Sequence, residues 1–370
     1  MQALIGIIFL IGTAFLLSNN RRAISWKSVC LGFSAHVFLA LILLKLPFVA
    51  DALMIVNNLV GAIQDASRAG TEFVFGFLGG GETPFDLTDS NYLFVFAFQV
   101  LPQVLIFSVL VALFWHWRVL PLVVKIMGFF LSRILNVKGP LATASASSLF
   151  LGMVEAPLVV RAYLVSMSTS DFFAVMTLGM STVAGSVLVL YASVLIPVID
   201  AAVSQIVAAS LLNIIGALYI SRLFEPELSS EAIDFDTTIS LKYDSTMDAL
   251  AKGTADGITL AVNVGAMVLV LVSLVALVNV SLSQVNISET ALSLELIFGW
   301  IFSPIAWLIG VPWDESALGG RLLGTKLVLN ELVAFIQLAE VAPGLSEHST
   351  KVLTFALCGF ANFGSLGILL

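Results

Sequence analysis

The segment that decides the fold reads GPLATASASSLFLGMVEAPLVVRAYLV and occupies residues 139–165. An α-helix needs about 20 consecutive apolar residues to cross the hydrocarbon core of a bilayer. The apolar runs on either side of Glu155 are shorter than that, and Gly152 and Pro157 interrupt the helical pattern around the carboxylate. We therefore predict a re-entrant hairpin with unwound backbone near Glu155.

A second segment repeats this irregularity in the C-terminal half. Apolar residues 297–308 lead into a turn at 310–314, and the next apolar run, 322–335, is interrupted by Asn330 and Glu331. Further along each half, residues 179–184 (GMSTVA) align without gaps with residues 359–364 (GFANFG). Repeated broken helices of this kind are typical of transporters that bind their solute near the middle of the membrane.

The composition places the rest of the chain in a membrane as well. Of its 370 residues, 59% are hydrophobic and 11% charged, and the mean hydropathy is +1.06; a soluble domain carries about 25% charged residues. A net charge of -8 argues against a nucleic-acid partner. The two cysteines, Cys30 and Cys358, lie in separate apolar runs and offer neither a disulfide framework nor a metal site.

Further membrane spans are predicted where apolar runs approach the length of a crossing. These runs lie at residues 4–17, 29–44, 92–114, 172–196, 201–220, 258–280 and from 352 onwards. Residues 50–77 mix polar and apolar side chains and predict an amphipathic helix at the membrane surface. Because Arg21, Arg22 and Lys27 make the first loop basic, that loop is placed in the cytoplasm. The fold class is therefore an all-α polytopic membrane protein.

Glu155 and Glu331 are the residues that most need a reason to lie in hydrocarbon, because a carboxylate there costs about 2.5–3.5 kcal/mol on insertion scales. A structural interpretation returns them to water or pairs them with Arg161 or Lys326. The functional interpretation is that both line a polar cavity and accept hydrogen bonds from a solute rich in hydroxyl and NH groups. The small polar residues near the helix breaks that could help are Ser148, Thr182, Ser186, Asn362 and Ser365.

Four motifs resemble the signatures of the concentrative nucleoside transporters, in that family's order and over nearly the whole chain. They are GMVEAPL at 152–158 followed by Val160 and Arg161, GVPW at 310–313, Lys326 with NELVAF at 330–335, and GFANF at 359–363. The resemblance implies a homotrimer. Each protomer would combine a scaffold domain with a transport domain that carries two re-entrant helical hairpins in inverted repeats and moves as an elevator.

The same resemblance divides the chain into four regions. Residues 1–114 would hold N-terminal scaffold helices and the interfacial helix, and 115–221 the first transport repeat with its hairpin. Residues 222–290 would form a polar linker and a scaffold helix, and 291–370 the second transport repeat. The family continues with one more helix, which is expected to be absent from this chain.

The resemblance also implies which residues bind the solute. Met153, Val154 and Glu155 would face the nucleobase beside an apolar wall at Val187, and Glu331, Asn362 and Ser365 would hold the ribose hydroxyls, with Phe360 packed beside the sugar or base. A coupling ion would lie at Ser148 and Thr182 and at the backbone carbonyls of Leu151 and Val183. No organic cofactor and no resident metal are expected; the expected partners are a nucleoside and membrane lipid.

Two departures from the family pattern leave the chemistry open. Better-known members place Gln-Thr or Gln-Ser where this chain has Met153 and Val154, so the preference between purines and pyrimidines is not determined. Sodium-driven members have asparagine at the position of Ser148 and serine at that of Thr182, whereas proton-driven bacterial relatives also carry serine at the first. This favours proton symport, with sodium as the alternative and with Glu155 or Glu331 as the titrating group.

The function expected is secondary active import of nucleosides across the cell inner membrane. One alternative is an elevator-type transporter for another small polar solute. A less favoured alternative is an intramembrane enzyme acting on a lipid, because the sequence offers neither paired carboxylates for a metal and phosphate nor a nucleophile beside a base.

Overall fold

A computed structural model describes residues 2–86, 95–153, 155–199, 201–228, 242–284, 286–287, 290–363 and 365. Within these ranges the protein is almost entirely helical, as the sequence predicts. Four helices are long and apolar enough to cross a membrane, at 26–45, 96–116, 202–224 and 246–282. A bent pair of helices at 294–308 and 313–328 would make a fifth crossing if it is counted as one.

The N-terminal part is a series of helices with short connections. They are α1 (Gln2–Leu16), α2 (Trp26–Lys45), α3 (Pro47–Phe75), α4 (Phe96–Gln99), α5 (Leu101–His116) and α6 (Val119–Leu135), with short 3-10 turns at Arg21–Ala23 and Gly76–Gly79. The predicted amphipathic segment forms the single long helix α3, which starts at a proline and ends where Gly76 takes a positive φ of 59°. Proline is favoured in the first turn of a helix because its missing N–H has no intrahelical acceptor there.

The first broken region follows α6. It consists of α7 (Gly139–Ser147), α8 (Glu155–Val159), α9 (Arg161–Leu164), α10 (Thr169–Ser181), α11 (Gly185–Leu195) and α12 (Ala202–Phe224). Short helices around residues 152–157 agree with the predicted hairpin. The prediction of one ordinary span over 172–196 is wrong, because the chain leaves the helix between Ser181 and Gly185.

The second half repeats this design. It contains α13 (Thr246–Leu282), a two-residue antiparallel pair β1 (Asn286–Ile287) and β2 (Thr290–Ala291), α14 (Leu294–Leu308), α15 (Trp313–Val328), α16 (Glu331–Val341), a 3-10 turn (Ala342–Gly344) and α17 (Glu347–Leu357). The helix predicted at 258–280 corresponds to α13, which begins well before the predicted start, at Thr246. The continuous span predicted from residue 352 is wrong, because α17 ends at Leu357 and the chain is extended at Cys358.

Glycines let α14 and α15 pack closely against each other, with a bend of 116° between the two helices. A Cβ on Gly320 would lie 2.6 Å from the backbone nitrogen of Ser303, and one on Gly324 would lie 2.2 Å from the Phe298 Cβ. The turn between the helices is made by Gly310, whose φ is +119°. Glycine adopts such a φ without the steric cost that a side chain would add.

Asn213 on α12 joins the two helix breaks. Its Nδ2 donates to the carbonyl oxygen of Ser181 at 2.9 Å and to that of Cys358 at 3.0 Å. These carbonyls lie at the ends of α10 and α17, where helical acceptors lose their intrahelical donors. One side-chain amide thus terminates both interrupted helices and holds the breaks against each other.

A cluster of charged groups ties the first broken region to the end of α12. Lys138 Nζ lies 3.2 Å from Asp171 Oδ2 and 2.8 Å from Glu227 Oε1, while Arg222 Nη2 lies 2.6 Å from Asp171 Oδ1. The Asp171 side chain is only 2% exposed. The polar stretch predicted as an aqueous linker from residue 222 is therefore fixed at its beginning by ion pairs.

Replacement of Asp171 by asparagine should destabilise the protein by about 3 kcal/mol, because Lys138 and Arg222 each lose a carboxylate partner at a largely buried position. Thermal unfolding of the purified protein would measure this loss. Asp248→Asn is a matched control, since both aspartates occupy the third position after a capping serine. The Asp248–Lys252 pair is solvent-exposed, so the control should unfold at nearly the wild-type temperature. Equal shifts for the two variants would contradict the structural role of the cluster.

Candidate functional site

A cavity of about 270 Å³ lies where the first hairpin, the two helix breaks and α13 meet. Its volume is close to the lower end of the ~300–1,000 Å³ that is usual for small-molecule sites. Its walls are mostly apolar, with a few polar groups. The lining residues are Gly152, Met153, Ala184, Val187, Leu190, Tyr191, Leu260, Asn263, Val264, Met267, Leu271, Leu329, Asn330, Glu331, Leu332, Phe360, Asn362 and Ser365.

Glu331 is the charged centre of this cavity, and its residue is only 5% exposed. The backbone leaves the helical conformation at Leu329 and Asn330, so that Glu331 starts α16. The Asn330 side chain caps the new helix by accepting from the Val333 N–H at 2.9 Å. A carboxylate in the first turn of a helix is stabilised by the helix dipole. The break therefore both exposes Glu331 to the cavity and favours its negative charge.

Two side chains hold the Glu331 carboxylate. Tyr191 donates its hydroxyl to Oε1 at 2.5 Å, and Asn362 donates its Nδ2 to Oε2 at 2.8 Å. An ionised carboxylate offers about four acceptor positions. Each oxygen therefore keeps acceptor capacity for a donor that enters the cavity.

The second helix break supplies the remaining polar groups predicted for the sugar. Asn362 Oδ1 accepts from the backbone N–H of Ser365 at 2.7 Å, which directs the amide nitrogen of Asn362 towards Glu331. Asn362 is 5% exposed and Ser365 6%. Phe360 lies beside them in the cavity wall. The structure thus brings Glu331, Asn362, Ser365 and Phe360 together, as the sequence predicts.

On the opposite side, Met153 and Val187 line the cavity with apolar surface. The hairpin packs closely on α10, because a Cβ on Gly179 would lie 3.2 Å from the Met153 carbonyl oxygen. Val154, also predicted to face the base, lies outside the described residues. Glu155 begins α8, but its side chain is outside the described part of the structure, as is that of Ser186.

The four residues predicted for a coupling ion are all buried between the hairpin and the first break. Ser148 donates its hydroxyl to the Ser145 carbonyl at 2.8 Å, and Thr182 donates to the Leu178 carbonyl at 2.9 Å. Leu151 and Val183 are 4% and 0% exposed. The Gly185 N–H donates to the Phe150 carbonyl at 3.2 Å and links these two segments directly. None of the four residues is among those that line the described cavity.

Lys326, a candidate ion-pair partner for Glu331, makes a different contact. Its ammonium group donates to the carbonyl oxygen of Ala356 at 2.8 Å, near the C-terminal end of α17. A cation at this end of a helix complements the carbonyls that lack intrahelical donors. The direct hydrogen bonds to Glu331 come from neutral groups, Tyr191 and Asn362.

Sequence reasoning missed Tyr191 and the wall that α13 contributes. Tyr191 lies four residues after Val187 and hence on the same helical face, which was a usable signal. The α13 wall consists of Leu260, Asn263, Val264, Met267 and Leu271. Of these, only Asn263 is a polar residue in an otherwise apolar run. The others look like ordinary lipid-facing residues, so their position in the cavity wall depends on the tertiary fold.

Broken helices in two halves around a small polar centre are typical of multi-pass membrane transporters. Family models match most of the chain: "Na+ dependent nucleoside transporter N-terminus" at residues 5–78, "Nucleoside recognition" at 97–198 and "Na+ dependent nucleoside transporter C-terminus" at 205–370. The chain belongs to the concentrative nucleoside transporter family. The comparisons thereby confirm the predicted family, the all-α membrane fold and the prediction that the protein is a membrane transporter and not an enzyme.

Individual relatives agree with this assignment. The nucleoside permease NupC of Helicobacter pylori is 33% identical over 100% of this chain and 88% of its own length. The human sodium/nucleoside cotransporter 1 is 30% identical over 99% of this chain and 57% of its own. The structure of CNTnw in an inward-facing substrate-bound state superposes with a TM-score of 0.90 at 36% identity, covering 100% of this chain and 87% of that one.

Proposed function

We propose that this protein imports nucleosides across the cell inner membrane by cation symport. The observation that carries the proposal is the Glu331 carboxylate, held by Tyr191 and Asn362 in a small buried cavity. A nucleoside presents vicinal ribose hydroxyls, which are donors, next to a flat and largely apolar base. A fixed carboxylate beside an apolar wall complements both parts of such a solute.

The residue roles follow the chemistry of the cavity. Glu331, Asn362 and Ser365 hold the ribose, and Phe360 packs beside the sugar or base. Met153, Val154, Glu155 and Val187 form the base end. Met153 and Val187 have side chains that form few or no hydrogen bonds. The protein therefore recognises the base by stacking and through bridging water molecules, and it accepts purines as well as pyrimidines. Adenosine and inosine should compete with uridine and cytidine at comparable concentrations; strong selectivity for uridine would count against this reading of the base end.

The coupling ion is the finer part of the proposal. The sequence favours protons, with Glu155 or Glu331 as the titrating group. The hydroxyls of Ser148 and Thr182 already donate to backbone carbonyls, so their remaining role towards a cation is as acceptors only. The matching family models are described as Na+ dependent, and this description supports sodium as the alternative coupling ion.

Transport itself is proposed to follow an elevator motion in a homotrimer. The helices of residues 115–221 and 291–370 would move together as the transport domain, while residues 1–114 and 222–290 supply the scaffold. Support comes from the contact between the two helix breaks through Asn213, which makes a single body of both repeats. The cavity lies between this body and α13, where a moving and a stationary part would meet.

Uptake into proteoliposomes tests the function directly. Radiolabelled uridine and adenosine should accumulate when a proton gradient, inside alkaline, is imposed without sodium. Accumulation with a sodium gradient alone would keep the transporter and replace the ion. Absence of nucleoside uptake under either gradient, in a protein that elutes as a folded species, would contradict the proposal and leave another small polar solute as the substrate. Vesicles without protein provide the background.

A further inference from the structure

Tyr191 is the largest side chain that is completely enclosed in the core among those in the cavity wall. Its residue is 1% exposed, and its ring packs against Phe335 with a centroid distance of 4.8 Å. Phe335 lies on α16, one turn beyond Glu331, so the ring is clamped by the same helix that carries the carboxylate. The Tyr191 hydroxyl is thereby directed at Glu331 Oε1 by packing and not by a flexible side chain.

The hydroxyl of Tyr191 and the amide of Asn362 hold the two oxygens of Glu331 from two different helix segments. Two donors on different oxygens fix the plane of a carboxylate, which would otherwise rotate about its last bond. These side-chain bonds use one acceptor position on each oxygen, and because a carboxylate offers about four positions, the group can still accept from a solute. A plane fixed in this way presents a pair of acceptors at a constant spacing.

We infer that Tyr191 is a positioning residue that sets selectivity for ribonucleosides over 2′-deoxyribonucleosides. The inference rests on the proposed nucleoside transport. A ribose offers two vicinal hydroxyls, one for each oxygen of the fixed carboxylate. A 2′-deoxyribose offers one, so one acceptor position of the buried Glu331 carboxylate stays unpaired, which lowers affinity. Tyr191 acts through Glu331 and needs no contact of its own with the solute.

Tyr191→Phe removes the hydroxyl and keeps the ring and its packing on Phe335. The carboxylate can then rotate, and only one of the two sugar hydrogen bonds keeps good geometry. Uridine affinity should fall about tenfold, the usual effect of one hydrogen bond to a charged group. Affinity for 2′-deoxyuridine should change by no more than about twofold, because that ligand makes one such bond in either protein. The ratio of the two affinities is thus the quantity that changes.

The experiment is isothermal titration calorimetry of the purified protein with uridine, 2′-deoxyuridine, adenosine and 2′-deoxyadenosine. The matched control is Tyr219→Phe, which removes a hydroxyl from a partly buried tyrosine that packs against Phe33 and His36 and does not line the cavity around Glu331. This control should keep the wild-type ratio. Thermal midpoints of all three proteins report whether folding is preserved.

The possible results separate the inference from the proposed function. A lower ribo/deoxyribo ratio in Tyr191→Phe alone supports the inference. An equal fold-loss for both sugars, which leaves the ratio unchanged, would assign Tyr191 a merely structural role, and wild-type affinities for both sugars would remove it from the site altogether; both results overturn the inference while nucleoside transport stands. A wild-type protein that binds none of the four nucleosides would overturn the proposed function, and the inference with it.

Discussion

Glu331→Gln is expected to weaken nucleoside binding by about 100-fold or more. The change replaces one carboxylate oxygen by an NH2 group, which is a donor where both protein partners, Tyr191 and Asn362, are themselves donors. At least one buried polar group of Tyr191, Asn362 or the new glutamine is then left without a partner, and the charge that strengthens the sugar hydrogen bonds is lost. A binding site that hydrogen-bonds a substrate hydroxyl loses much more affinity when that bond is missing than an apolar pocket loses for a missing methylene group.

The measurement is the dissociation constant for uridine and adenosine, together with initial uptake rates in proteoliposomes. Glu340→Gln is the matched control, because it makes the same chemical change on the same helix at an exposed position outside this cavity. The control should bind like the wild type. Wild-type affinity of Glu331→Gln, in a protein with normal thermal stability, would remove Glu331 from the site.

Gly359→Ala should be the most destabilising single-methyl addition in the second helix break. Gly359 has a φ of +126°, a conformation that is essentially restricted to glycine. An added Cβ would lie 2.7 Å from the carbonyl oxygen of Ser181 and 3.1 Å from that of Met180. Backbone strain and overpacking together should cost about 2–5 kcal/mol. Uptake should fall as well, because Phe360 and Asn362 follow directly in the chain.

Thermal unfolding of the purified protein and its recovery in the folded fraction would measure this effect. Gly12→Ala on α1 provides the control, because no atom lies within 4 Å of the position of the added Cβ. In a helix, alanine in place of glycine is neutral or stabilising by up to about 1 kcal/mol. If Gly359→Ala unfolded at the same temperature as this control, the close contact between the breaks would not exist in the protein.

Much of the fold could be predicted because the sequence marks it locally. Gly152 and Pro157 predict the first hairpin, because they interrupt an apolar helical pattern. Asn330 and Glu331 predict the second hairpin for the same reason. An interruption near Thr182 and Ser186 was predicted from the small polar residues there, but its exact position between Ser181 and Gly185 was not, since Thr182, Val183 and Ala184 suit a helix as well as an extended segment. Contacts with distant residues decide it: Gly185 donates to the Phe150 carbonyl, and Asn213 caps Ser181. Such contacts depend on the folded chain and leave no local signal.

The same distinction holds for the cavity. Glu331, Asn362 and Ser365 stand out in the sequence as polar groups in apolar surroundings, and the structure places them together. Tyr191 is separated from Glu331 by 140 residues, and their hydrogen bond exists only because α11 and α16 pack side by side. Periodicity could place Tyr191 on the face of Val187, but nothing in the sequence fixes which partner its hydroxyl meets.

The bridge made by Asn213 has a mechanical consequence. Since one amide donates to the ends of both α10 and α17, the two breaks cannot move apart without the loss of at least one of these hydrogen bonds. The two repeats are thus connected at a single joint, formed by Asn213 and the two carbonyl oxygens, and should move together as one body. Under the proposed elevator motion, a solute held beside Glu331 would travel with this joint across the membrane.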